Sequence, residues 1–160
     1  MASFSDLPLK WRTLARVYPW RRIDPVPWTP MRKPLAKCRV ALVSSAGFVP
    51  PGEPVFDASK LGGDPSFRVI PGDIDVRTLR DAHRSGAFDH TGMVQDPNLA
   101  FPLDRLRELA ADGRIGEVNG RHLSFMGSLS ATGHLVRRSA PDAARLLAAD
   151  RVDAVLLVPV

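Results

Sequence analysis

A chain of 160 residues with 44% apolar and 24% charged side chains is long enough to bury a core and ordinary in composition for a globular domain. No run approaches the ~20 apolar residues a membrane span needs, Met1 to Lys10 lack the basic-then-apolar pattern of a secretion signal, and the lone Cys38 excludes an intramolecular disulfide, so a cytoplasmic protein without membrane contact is expected. The net charge of +5 is uneven: residues 1–39 hold nine Lys or Arg against Asp6 and Asp24, a net +7, which leaves −2 for the remainder.

A basic arm can seek nucleic acid, but no recognised binding motif accompanies this charge, and no nucleic-acid partner is expected. The arm, residues 1–37, interleaves its cations with Trp11, Tyr18, Trp20 and Trp28 and with several prolines. That pattern predicts a segment wrapped on the domain, aromatics packed down and Arg heads in solvent. Within it, residues 7–17 read as a short helix, with Asp6 as cap and Pro8 in the first turn. Residues 18–34 are too rich in proline for helix or sheet interior and read as extended chain.

The main domain, residues 38–160, alternates strand and helix. Residues 38–46 (CRVALVSSA) form a confident strand that runs into Gly47, and 48–66, with four prolines and three glycines, read as a long loop. Residues 67–71 predict a second strand, 75–83 a helix opening, and 84–98 a polar loop in which Asp96-Pro97-Asn98 signals a turn and cap. Residues 101–109 read as an amphipathic helix with Leu103, Leu106 and Leu109 inward, ended by Gly113. A strand at 121–126, a loop through Gly133 and a helix at 140–150 lead to a terminal apolar run, 151–160, which reads as a strand covered on both faces. The fold class is α/β: an open, mostly parallel sheet with helices on both faces.

In such sheets chemistry sits past the carboxyl ends of the strands. Ser44, Ser45 and Gly47 occupy that place and are the candidate substrate-binding residues, their N–H and hydroxyl groups suited to an anionic ligand; a plain strand-to-loop turn explains them equally well. His83, Asp89 and His90 are the candidate catalytic set, able to move or hold a proton. With Asp96 and His122 they could also hold a metal, but the spacing matches no standard ligand pattern, and no metal is expected. Cys38, at the amino end of its strand, reads as buried and inert, and His134 as a surface residue. From the residues alone, no reaction is assigned.

Taken together, PWTP at 27–30, VALVSSAG at 40–47, DPSFRVIP at 64–71, His83 with Asp89-His90, DPN at 96–98, FPLDRL at 101–106, IGE at 115–117, HLSFMG at 122–127 and VDAVLLVPV at 152–160 carry a resemblance. In this order the chain resembles the glycine/sarcosine/betaine/D-proline reductase family, in its selenoprotein B type subunit. The resemblance implies an oxidoreductase subunit that reductively cleaves a C–N bond of an amino acid or amine. It implies a pyruvoyl-bearing partner subunit and a thiol or selenol redox carrier. It also implies selenocysteine, or cysteine in its place, directly after the segment 152–160, followed by a further α/β portion. Selenocysteine is encoded by UGA, so the expectation is that these residues are the part of a longer subunit that precedes its nucleophile, inactive as such. The rival expectation is a non-catalytic partner-binding module that uses the basic Trp/Pro arm.

Overall fold

The structure, a computed structural model, describes residues 8–18, 22–85 and 90–160. The chain divides into two compact units, Met1–Pro30 and Met31–Val160. In the first, helix α1 (Leu9–Val17) forms where expected, and the described residues after it carry no regular element. The capping residue Asp6 and Trp20 lie outside the described residues. Trp11, Tyr18 and Trp28 are exposed, Trp28 by 85%. A unit this small has no interior in which three large rings can be buried.

The second unit is built on strands β1 (Arg39–Ser44), β3 (Phe67–Pro71), β5 (Glu117–Val118), β6 (Arg121–Phe125) and β7 (Ala154–Val158), with β2 (Phe48–Val49) and β4 (Arg80–Asp81) as a separate antiparallel pair. Strand β1 is central and runs parallel to β5, β6 and β7, while β3 adds antiparallel to β6. The class is α/β and mostly parallel, as the alternation of elements predicts. Strands β5 and β6 are one irregular strand: Val40 faces Val118 and Val43 faces Leu123, so two residues of β1 oppose four of its neighbour. A bulge of this kind leaves ladder groups without backbone partners. Leu42 N–H donates instead to His122 Nδ1, at 3.0 Å.

Helix α2 (His90–Gln95) and helix α3 (Leu103–Ala111) serve one face of the sheet, where Val40, Leu42 and Ile70 meet Met93, Phe101, Leu103 and Leu106. Helix α4 (Ala140–Ala149) covers the other, with Ala143 and Leu147 against Ala41 and Leu123. Phe101 and Leu103 are fully buried, and truncating a side chain like Phe101 costs about 3–5 kcal/mol. The turn before α3 forms as the DPN signal predicts: Asp96 accepts the Asn98 N–H, and Asn98 Oδ1 accepts the Asp104 N–H at 3.0 Å.

Five expectations are corrected. Residues 75–83 form no α-helix. Asp75 caps a single 3-10 turn (Val76–Thr78), Leu79 then turns extended, and Arg80–Asp81 pairs with Phe48–Val49, a strand inside the expected 48–66 loop. The 84–98 loop contains α2, because Met93 supplies an apolar anchor that reaches the core. Leu109 is 38% exposed, on the shoulder of the buried stripe of α3. The last concerns β7, an edge strand that pairs only with β1 among the described strands, and whose Val155, Leu156 and Leu157 are exposed rather than covered on both faces. Leu157 is 68% exposed, and an apolar groove of about 400 Å³ runs between β7 and α4, lined by Val43, Phe125, Ala144, Leu147, Val155 and Leu157. An apolar run reports affinity for a dry environment; the topology decides whether these residues provide one.

Candidate functional site

The candidate residues gather past the carboxyl ends of β1 and β6. Ser44 turns inward: it is buried, its hydroxyl donates to the Ala100 carbonyl at 2.7 Å, and it accepts the Ala46 N–H at 3.1 Å. Ser45 points to the rim. Its Oγ accepts the Val160 N–H at 3.0 Å and donates to the Val160 carbonyl at 3.3 Å, and its own N–H donates to Val158 at 3.1 Å. The backbone of Val160 is thus held at the mouth of β1.

Gly47 follows at φ +69, a left-handed turn that favours glycine, and its N–H donates to Phe125 at 2.9 Å. The turn brings the chain against His83: a Cβ on Gly47 would lie 3.1 Å from the His83 backbone, and one on Gly127 would lie 2.6 Å from His83 Nε2 and 2.9 Å from the Ser45 carbonyl. His83 is therefore clasped between two glycines, only 8% exposed. Burial pushes its imidazole below the ordinary value, the charge of Asp81 opposes this, and that of His90 adds to it. Nδ1 accepts the Ser85 N–H at 3.3 Å, so the neutral ring carries its proton on Nε2, toward Gly127.

His90 begins α2, its ring centroid 6.1 Å from that of His83. Nδ1 meets a carboxylate oxygen of Asp81, and Nε2 meets the Ser85 carbonyl at 3.1 Å. Two acceptors call for a proton on each ring nitrogen, an arrangement suited to an imidazolium beside its counter-ion. Asp81, which is not among the sequence candidates, thereby joins the site; it also accepts the His83 N–H at 2.8 Å. The signal was present in Asp81-Ala82-His83, because an aspartate readily accepts the N–H two residues on. Asp89 lies outside the described residues.

The structure thus brings together Ser45, Gly47, His83 and His90, and buries Ser44 beneath them. His122 and Asp96 go elsewhere, His122 into the core and Asp96 into its turn. Among the described residues, no three His, Cys, Asp or Glu side chains converge as a metal site would require. Cys38 is 1% exposed at the opposite end of β1, its thiol donating to the Pro34 carbonyl at 3.4 Å. No helix among the described residues is long and apolar enough to cross a membrane.

A family described as glycine/sarcosine/betaine reductase selenoprotein B matches residues 9–160. The chain is 39% identical over 136 residues to the D-proline reductase subunit gamma of Acetoanaerobium sticklandii, an alignment that covers 84% of this chain and 54% of that one. It is 34% identical over 143 residues to the glycine reductase complex component B subunit gamma of Carboxydothermus hydrogenoformans, covering 87% of this chain and 32% of the other. It is 34% identical over 118 residues to the sarcosine reductase complex component B subunit beta of Peptoclostridium acidaminophilum, covering 73% and 27%. The chain therefore spans about half the length of the first relative and between a quarter and a third of the others. No solved structure matches it.

Proposed function

Because the chain belongs to the glycine/sarcosine/betaine reductase selenoprotein B family, we propose that it forms part of a reductase subunit that cleaves the C–N bond of an amino acid such as glycine, sarcosine or D-proline. In this reading the redox-active residue, selenocysteine or cysteine, lies in polypeptide joined to Val160. A pyruvoyl-bearing subunit and a thiol or selenol carrier are its partners, and the 160 residues alone are inactive. The observation that carries the reading is the double hydrogen bond between Ser45 Oγ and the Val160 backbone, which holds that point of the chain beside the His83 clasp. The chain's own thiol, Cys38, is buried at the other end of β1.

A selenol or thiol at this place supplies the nucleophile, and it ionises more readily beside positive charge. The described residues give that environment its shape. Ser45 fixes the approach of the chain, and Gly47 and Gly127 let backbone close on both sides of His83. His83, neutral under its burial, carries its proton on Nε2 as a hydrogen-bond donor, and delivers one to a departing amine only after Nδ1 has taken one up. Asp81 fixes the position of His83 through its N–H and pairs with His90, whose positive charge favours an anion nearby. Asp89 is proposed to tune this pair or relay its proton.

The experiment is to continue the reading frame past the Val160 codon and assay the complete protein, purified with its associated subunits, for amine-dependent oxidation of dithiothreitol. A UGA or cysteine codon directly after Val160 is expected, with turnover that drops at least tenfold in His83→Gln. Any other codon there, or turnover by the 160-residue chain unaided, overturns the reading.

A further inference from the structure

We propose that the trough between residues 58–63 and 126–130 is the seat of the substrate carboxylate, with Arg84 as its charge partner. This deepens the functional reading above and rests on it for the identity of the ligand.

The trough has a volume of about 410 Å³ and is lined by Ser59, Lys60, Gly63, Arg84, Ser85 and Ser128, with Met126 and Gly127 at its inner end. Its two walls are fastened together. Gly62 accepts N–H bonds from Ser130 and Ala131 at 3.1 and 3.2 Å, and a Cβ on Gly62 or Gly63 would stand 2.4 Å from Ala131 or 2.5 Å from Leu129. Both glycines have positive φ, and Ser128, which is no glycine, is held at φ +56. Backbone kept in that region by its surroundings is a mark of ligand clamps, because preorganised donors lose nothing on binding.

Two cations reach the trough, and they differ. Lys60 is committed to Asp64, at 3.0 Å. The Asp64 carboxyl is nearly buried; burial would raise it, but N–H bonds from Asp57 and Ser66 and the Lys60 ammonium hold it well below the usual carboxylate range. Lys60 is thus a structural cation. Arg84 is exposed on the trough wall and has no carboxylate partner among the described residues. An exposed guanidinium on a wall shared with Ser85, Ser128 and Ser130 matches the flat, two-oxygen face of a carboxylate.

The placement suits the proposed chemistry. Gly127 and Ser85 belong both to the trough and to the surroundings of His83. An acid gripped at Arg84 therefore presents its α-amine toward the clasped histidine. Glycine, sarcosine and D-proline differ in the substitution of their amines and share the α-carboxylate, so one site that reads the carboxylate serves all of them.

The test is a ¹⁵N NMR titration of the full 160-residue chain with sodium acetate, glycine, glycinamide and inorganic phosphate at constant ionic strength. Acetate and glycine are expected to shift the amides of Gly62, Gly63, Ser128 and Ser130 saturably, and glycinamide is expected to leave them unmoved. Arg84→Gln, an exposed change, should weaken acetate binding at least tenfold, while Arg137→Gln, in the neighbouring hollow, should not. Equal binding by glycinamide, unchanged affinity in Arg84→Gln, or phosphate binding on the same amides more tightly than acetate would each overturn the proposal. Acetate binding that depends on Arg84, in a complete protein that reduces no amine, would overturn the functional reading and leave the carboxylate site standing.

Discussion

The protonation of His122 offers a quantitative test of the core. This side chain is fully buried on β6, its Nδ1 accepting the Leu42 N–H that the bulge leaves without a backbone partner. A proton on Nδ1 would set two donors against each other and bury a charge. Burial first, and Arg107 second, therefore pull the imidazole down to about 4 from the ordinary 6.5. The unfolded chain takes up this proton as the pH falls through 6.5, while the folded chain refuses it until about 4, so stability is full at neutral pH and is lost across that window. A difference of this size corresponds to about 3 kcal/mol. His83 is shifted the same way and adds to the loss, so the two must be separated. His122→Asn removes the titrating ring and leaves a side-chain oxygen able to accept the Leu42 N–H. Urea unfolding followed by circular dichroism, from about pH 7 to about pH 4, should give a difference between parent and variant that shrinks by about 3 kcal/mol as the pH falls. A difference that stays flat with pH would refute the reasoning.

Gly127→Ala should cost about 1–3 kcal/mol, because its Cβ would press on His83 Nε2 and the Ser45 carbonyl, whereas Gly120→Ala, which opens into free space, should stay within about 0.5 kcal/mol; thermal unfolding distinguishes them. Asp81→Asn should destabilise by about 1 kcal/mol and shift the ¹⁵N imidazole resonances of His90, whose Nδ1 it contacts. Leu157→Lys, on a residue 68% exposed, should change stability by less than about 0.5 kcal/mol and lower any concentration-dependent light scattering of the chain; a large destabilisation would mean that Leu157 is packed in solution.

Much of this protein can be read from local chemistry. The non-alternating run in β1, the apolar stripe of α3, the proline-started α4 and the DPN turn are short-range signals, because each depends on residues within a few positions of one another. They determine the α/β class and bring Ser45 and Gly47 to the carboxyl end of β1. The pairing of β2 with β4 joins residues over thirty positions apart, and two-residue strands carry no periodicity of their own, so only the tertiary structure converts the expected helix opening at 75–83 into a strand. The same holds for Asp81, which becomes part of the site only when α2 brings His90 back to it. It holds for Ser44 and Ser45 as well, adjacent and alike in chemistry, which the pleat of β1 sends to the core and to the rim. Finally, β7 has the composition of a buried strand and the exposure of an edge: hydrophobicity is written in its residues, whereas burial belongs to whatever packs against them.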